Sequence, residues 1–127
     1  MTVIRRGERL TNWNGTAQWV PQLTARPDTV ADLQDLVRDT EKFPAPLRAV
    51  GSAHSLNDCL VTVGTSIRMD AFKTMGQPTG GTITVGAGVR MLELRDRLKA
   101  NGLQIEVVPE IGNARSEERR VGKECRL

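Results

Sequence analysis

Hydrophobic residues recur at helical spacing in the first third of the chain. Apolar positions at 30, 33, 36 and 37 are separated by three and four residues, with charged residues on the other faces. Thr29 followed by Asp32 has the spacing of a capping box. The pattern predicts an amphipathic helix from Thr29 to about Lys42, which Pro44 ends.

A second helix is predicted around Met91, Leu94 and Leu98. The pair Asn101-Gly102 follows it, and glycine suits the left-handed residue that ends many helices. Short apolar or β-branched runs predict extended segments or strands at 12–27, 47–50, 60–63, 66–69, 82–85 and 104–108. This order predicts an α+β fold with small-residue loops at strand ends.

Length and composition limit the possible classes. The chain has 127 residues, which allows one domain or a piece of a larger one. Hydrophobic residues at 39% and charged residues at 26% are ordinary for a soluble protein. No apolar run approaches eighteen residues, so no membrane span is expected. Outside the last residues Cys59 is the only cysteine, which predicts no disulfide framework and favours a reducing, cytoplasmic location.

The last thirteen residues, 115–127, differ from the rest of the chain. They carry five basic and three acidic residues, and 115–125 show neither a helical nor a strand period. The string Arg-Ser-Glu-Glu-Arg-Arg-Val-Gly-Lys-Glu-Cys resembles the in-frame translation of a sequencing-library adapter. We therefore predict a native part at 1–114 and a non-native tail at 115–127, with the natural protein continuing differently after Ala114.

The net charge does not indicate a nucleic-acid partner. The formal charge of +3 is mostly in that tail, and residues 1–114 carry 13 basic and 12 acidic residues. The four aromatic residues form no stacking pattern. A nucleic-acid binder is therefore ranked last among the functions considered.

The most informative stretch is Gly51-Ser52-Ala53-His54-Ser55, directly after a predicted strand. Small residues let a backbone approach a ligand, and successive N–H groups in such a turn can bind a phosphate. The stretch matches neither a Walker loop nor the three-glycine dinucleotide motif, so a tight strand-exit turn is the alternative. Gly86-Ala87-Gly88 could be another phosphate turn, with close packing of strand on helix as its alternative.

His54 is the only histidine and lies inside the first small-residue loop. An imidazole is a nucleophile and a base near neutral pH, so His54 could tether or polarise a bound cofactor. The alternative is an ordinary surface or hydrogen-bonded histidine. No cluster at metal-ligand spacing is present, and no metal is expected. Cys59 beside Leu60 is expected to be a small buried residue rather than a reactive thiol.

The segment Leu47–Leu56, read as LRAVGSAHSL, resembles the first flavin-binding segment of the vanillyl-alcohol-oxidase-type FAD-linked oxidases, which carry an FAD-binding PCMH-type domain. It is most similar to the alditol and aldonolactone oxidases. Asn12-Trp13, the 26–29 approach to the first helix and the 84–88 strand end occur in family order.

The resemblance implies two α+β subdomains that grip FAD, with a substrate domain downstream. It implies that the chain is an N-terminal, truncated part of an oxidoreductase acting on an alcohol group of a sugar-derived small molecule. The implied FAD-binding residues are Val50, Gly51, Ser52, Ala53, His54 and Ser55. His54 matches the position that is linked covalently to the flavin 8α-methyl group in these subfamilies.

Two parts of the family pattern are missing. A second glycine-rich flavin segment should follow 108–112, where the tail begins, and the substrate domain is absent. No catalytic residue is assigned, and the chain alone is expected to turn over nothing. The alternative function is a small non-catalytic nucleotide- or phosphate-binding module that ends at Leu127.

Overall fold

A computed structural model describes residues 1–53 and 58–105, together with the backbone of 124–126. The chain forms two compact units, Met1–Ala71 and Phe72–Leu127. The expected mixture of helices and strands is confirmed. The described elements are β1 Val3–Arg6, β2 Leu10–Thr11, β3 Gln18–Trp19, β4 Leu23–Arg26, α1 Val30–Arg38, β5 Leu47–Val50, β6 Thr65–Arg68, β7 Thr82–Thr84, α2 Met91–Ala100 and β8 Glu124–Arg126.

A four-stranded sheet organises the first unit, in the order β1-β4-β6-β5. β4, β6 and β5 run parallel, and β1 joins the edge of β4 antiparallel. One face packs with α1 in an apolar cluster of five buried residues: Leu23, Ala25, Leu36, Phe43 and Ile67. The hairpin of β2 and β3 pairs Leu10 with Trp19.

The start of α1 is as the sequence predicts, and its end is not. Thr29 Oγ1 accepts a hydrogen bond from the Asp32 amide at 3.1 Å, and the Asp32 carboxylate accepts one from the Thr29 amide at 3.2 Å. The helix ends at Arg38 rather than near Lys42. Asp39 Oδ1 accepts from the Lys42 amide at 3.0 Å, and a side-chain acceptor of this kind competes with helical backbone bonding.

The predicted strand at 60–63 is wrong. The Val61 amide instead donates to the Asp58 carbonyl in a turn. Thr62 Oγ1 donates to the Pro46 carbonyl and accepts from the Gly64 amide, so local bonds replace a strand ladder. The strand predicted at 66–69 is β6, which begins one residue earlier at Thr65.

The second unit is built around α2. Ile83 and Val85 pack with the helix in one apolar cluster, whose other buried members are Val89, Met91, Leu94, Leu98 and Ile105. Gly102 ends the helix at φ 71°, and the Leu103 amide donates back to the Leu98 carbonyl at 2.9 Å. This confirms the left-handed helix end predicted from the Asn-Gly pair.

The last part of the chain differs from the predictions at 104–105 and at 124–126. Gln104 and Ile105 are not in a strand, and the rest of that predicted strand, 106–108, lies outside the described residues. The backbone of β8 pairs antiparallel with β7, a strand that the tail sequence did not predict. Neither described helix is long enough to cross a membrane.

Candidate functional site

The candidate phosphate loop begins where β5 ends. Val50 is the last residue of this strand and is buried, and Gly51 to Ala53 follow at its carboxyl end. In parallel sheets, ligands bind outside the carboxyl ends of the strands. The tertiary structure therefore puts the first part of the loop at an edge where a ligand can be received.

Ala53 has an unusual backbone conformation, with φ at 58°. A residue other than glycine reaches this left-handed region at a cost of about 1 to 2 kcal/mol unless its surroundings hold it there. The Trp13 amide donates to the Ala53 carbonyl at 2.9 Å. A left-handed residue is one half of the right- and left-handed pair that can aim successive N–H groups at an anion.

The β2–β3 hairpin packs against the start of the loop. Leu10 and Trp19 form a buried cluster with Val50, and Ala53 packs against it. The Trp19 indole N–H donates to Ser66 Oγ at 3.1 Å, which fixes the hairpin to β6. The sequence predicted only an extended segment at 12–27, which contains β3 but not β2, and nothing in the spacing indicated this contact.

The predicted site residues are brought together as far as the structure describes them. Val50 ends β5, and Gly51, Ser52 and Ala53 follow it directly, with a bend at 51–52. His54 and Ser55 lie outside the described residues. Their predicted roles stay predictions, as do those of the four described positions.

In the second candidate turn, Gly86 to Gly88, backbone amides bond to the protein itself. The Gly86 amide donates to the Thr74 carbonyl at 2.8 Å, and the Gly88 amide donates to the Phe72 carbonyl at 2.8 Å. A Cβ placed on Gly86 would lie 2.4 Å from the Phe72 carbonyl oxygen. The donors that a phosphate would need already serve the protein, which favours the packing alternative, here against residues 72–74.

The first unit also contains a polar cleft that sequence reasoning missed. It has a volume of about 350 Å³ and is lined by Val3, Arg5, Thr24, Arg26, Arg68 and Asp70. Arg26 Nε donates to Asp70 at 3.0 Å, and this carboxylate raises the pKa of Arg26. Arg68 Nη2 donates to Glu8 at 2.6 Å. These pairs join residues that are 44 and 60 positions apart, so no local pattern could reveal them.

Cys59 is exposed, which contradicts the expectation of a buried residue. It follows Asp58 in a turn instead of lying in a strand, so its apolar neighbours do not enclose it. Among the residues that the structure describes, no group of three histidine, cysteine or acidic side chains could hold a metal ion.

Comparison with known proteins identifies the family. The model of an FAD binding domain family matches residues 21–115. L-gulono-1,4-lactone dehydrogenase of Mycobacterium tuberculosis is 34% identical over 98 residues, covering 75% of this chain and 23% of that protein. D-arabinono-1,4-lactone oxidase of Candida albicans is 30% identical over 110 residues, covering 74% and 20%.

Solved structures show the same fold at low identity. Cholesterol oxidase from B. sterolicum superposes with a TM-score of 0.76 at 19% identity, over 90% of this chain and 23% of that one. The BBE-like 1 protein of Physcomitrella patens gives a TM-score of 0.65 at 23% identity, over 79% and 24%.

The chain thus spans less than a quarter of the length of these relatives. The match to the family model covers most of the chain and includes the loop after β5. It confirms the resemblance read from LRAVGSAHSL and the expected cofactor class, FAD. The chain belongs to the FAD binding domain family.

Proposed function

We propose that this chain forms the first part of the FAD site of an oxidoreductase that oxidises an alcohol group of a sugar alcohol or aldonolactone. The observation that carries the proposal is the left-handed turn at Ala53 after the parallel strand β5, in a member of an FAD-binding family. The names of the sequence relatives, a gulonolactone dehydrogenase and arabinonolactone oxidases, support the substrate class.

In this proposal, Val50, Gly51, Ser52, Ala53, His54 and Ser55 wrap the FAD pyrophosphate. Small side chains at 51–53 let the backbone approach the phosphates, and backbone N–H groups supply the donors. Val50 anchors the loop because its own side chain is buried. Bound FAD would supply the hydride-accepting chemistry, while the chain would bind and orient it.

Substitution within the loop tests its role. Gly51→Val adds a branched side chain where the backbone should approach the pyrophosphate. We expect FAD affinity to fall at least about tenfold, which is about 1.4 kcal/mol. The measurement is flavin fluorescence in the longer protein with His54→Ala as background, so that FAD binds noncovalently. Ala49→Val on the exposed side of β5 is the matched control and should leave the affinity near wild type. Equal affinity for both variants would contradict the loop assignment.

We propose that an imidazole nitrogen of His54 forms the covalent link to the flavin 8α-methyl group. The new N–C bond would replace the imidazole N–H and one C–H bond of the methyl group, and the flavin itself would take up the two electrons before an acceptor such as oxygen reoxidises it. The test is acid precipitation of the loaded protein. Yellow colour and flavin fluorescence should stay with the precipitate of the wild type and leave with the supernatant for His54→Ala. Complete release from the wild type would disprove the link while leaving noncovalent FAD binding possible.

We propose that the 127-residue chain alone has no turnover, because its match covers only 23% of the L-gulono-1,4-lactone dehydrogenase and a substrate domain is expected downstream. Purified chain, FAD and alditol or aldonolactone substrates should give no more peroxide than a His54→Ala control. Peroxide well above that control would contradict this.

We propose a small sugar-derived molecule as the partner and no nucleic acid, since the part before the tail is nearly neutral. The single cysteine before the tail supports a cytoplasmic location. Binding of the 1–114 part to DNA or RNA at moderate salt, or recovery of the native protein outside the cytoplasm, would overturn these assignments.

A small non-catalytic nucleotide- or phosphate-binding module remains the second candidate, and pairing of β8 with β7 gives the tail a place in the fold. A long DNA read across the Ala114 codon separates the two. An open frame that continues into a glycine-rich flavin segment supports the oxidase. A genome that encodes 115–127 and then stops supports the small module.

A further inference from the structure

We infer that the turn at Asn12–Ala17 is a positioning element that holds the FAD loop in its left-handed conformation. The inference rests on the proposed function, because it assumes that the loop at Gly51–Ala53 contacts FAD. It assigns a role to Asn12 and Trp13 that follows from their contacts.

Asn12 organises the turn between β2 and β3. Only 2% of the residue is exposed, which is unusual for an amide side chain. Its Oδ1 accepts from the Ala17 amide at 3.0 Å, and its Nδ2 donates to Thr16 Oγ1 at 2.9 Å. The Asn12 amide donates to the Ala17 carbonyl at 3.0 Å, and its carbonyl accepts from the Gly15 amide. One buried residue thus closes the turn through both its side chain and its backbone.

This closure fixes the direction of the next amide. Trp13 N–H donates to the Ala53 carbonyl at 2.9 Å, across forty positions of sequence. The bond reaches the residue whose φ is 58°. Because an alanine released from its contacts returns to negative φ, the Trp13 amide is placed to oppose that return.

Packing beneath the loop makes the support rigid. Leu10 and Trp19, which pair across the hairpin, contact Val50 and Ala53 in one cluster. Trp19 is fixed in turn to Ser66 on β6. The hairpin is therefore attached to the sheet independently of the loop, and its turn can hold the loop in place.

The test is a double-mutant cycle in the full-length protein with His54→Ala as background, so that FAD binds noncovalently and a dissociation constant can be measured. Asn12→Ala should weaken FAD binding about tenfold, since the loop then loses its left-handed geometry. With Ala53→Gly present, the same change should weaken binding less than about threefold, because glycine adopts positive φ readily.

Two further variants test whether a loss of FAD binding comes from misfolding rather than from the loop. Thr16→Val removes the hydroxyl that Asn12 Nδ2 contacts, at an exposed position, and should weaken FAD binding about threefold. Gln22→Ala, at an exposed position outside the turn, is the control and should have no effect on FAD binding. The melting temperature of each apoprotein is measured alongside, because a merely structural role of Asn12 would lower it equally with and without Ala53→Gly.

The outcomes separate the inference from the function on which it rests. If Gly51→Val weakens FAD binding but Asn12→Ala and Thr16→Val do not, the positioning role is wrong and the loop assignment stands. An Asn12→Ala effect on FAD binding that is equally large with and without Ala53→Gly also overturns the positioning role. If Gly51→Val has no effect on FAD binding, the loop assignment on which the inference rests fails.

Discussion

The two small-residue turns after β5 and β7 look alike in sequence and are held by opposite means. The first turn, at Gly51–Ala53, is held through a carbonyl, which accepts from the Trp13 amide. The second, at Gly86–Gly88, is held through two of its own amides, which donate to the carbonyls of Phe72 and Thr74. A turn whose amides already serve the protein is a packing device. The first turn is fixed instead at its Ala53 carbonyl.

The same contrast extends to the helices of the two units. α1 buries one side chain, Leu36, and begins with a reciprocal pair of hydrogen bonds between Thr29 and Asp32. α2 buries Met91, Leu94 and Leu98. The start of α1 thus depends on a directional polar cap, whereas α2 buries more apolar side chains.

The largest effect is expected for Gly86→Ala. The new methyl group would lie 2.4 Å from a backbone oxygen that no side-chain rotation can move, so we expect a loss of about 2 to 3 kcal/mol in unfolding free energy. Urea unfolding measures it. Gly76→Ala is the control, because its nearest contact is 3.2 Å, and should lose less than about 1 kcal/mol. Equal losses would show that the second turn is not closely packed.

Thr29→Ala should have the next largest effect. It removes the hydroxyl that caps the Asp32 amide, which lowers the unfolding free energy by about 1 kcal/mol. At the start of α2 the Arg90 amide donates to the Glu93 carboxylate at 3.4 Å, but the Arg90 side chain itself makes no cap, so Arg90→Ala should change the unfolding free energy by less than about 0.5 kcal/mol. A larger loss at Arg90 would remove the contrast between the two helix starts.

Thr24→Val should stabilise the protein slightly. Thr24 is 3% exposed, and within the described part of the chain its hydroxyl has no hydrogen-bond partner. Replacing it by a methyl group of similar size should raise the unfolding free energy by about 0.5 kcal/mol. Thr65→Val is the comparison, because Thr65 Oγ1 donates to the Pro44 carbonyl, and this change should destabilise. A destabilising Thr24→Val would show that its hydroxyl is bonded.

The smallest effect is a pH dependence that comes from Asp32. The amino terminus of Met1, at 2.9 Å, and then Thr29 lower the pKa of this carboxyl group, and Asp32 raises the pKa of the amino terminus. The stabilisation is therefore present at neutral pH. It is lost as pH falls through the lowered carboxyl pKa or rises through the raised amino pKa.

The measurement for this prediction is urea unfolding of wild type and Asp32→Asn from acid to alkaline pH. The difference between them should be largest near neutrality and shrink at both extremes. Because both groups are at the surface, it should be small and weaken with salt. A difference that is constant with pH would mean that Asp32 acts only as a neutral cap.

Local sequence predicted those features whose causes are local. The Thr29 cap, the apolar spacing of α2 and the left-handed Gly102 each depend on neighbours within a few residues. The sequence failed at 60–63, where an apolar run suggested a strand. Gly64 approaches the backbone of Pro44 and Ala45 so closely that a Cβ would lie 2.5 Å away, and Thr62 bonds to Pro46.

What the sequence by itself determined was the family and the position of its candidate cofactor loop, because a short run of small residues around His54 is recognisable without coordinates. Only the tertiary structure distinguished the two glycine-containing turns, through bonds to Trp13 in one case and to Phe72 and Thr74 in the other. The backbone N–H is the same chemical group in every residue except proline. Its local sequence therefore cannot show its bonding partner, which depends on the carbonyl groups that the fold places near it.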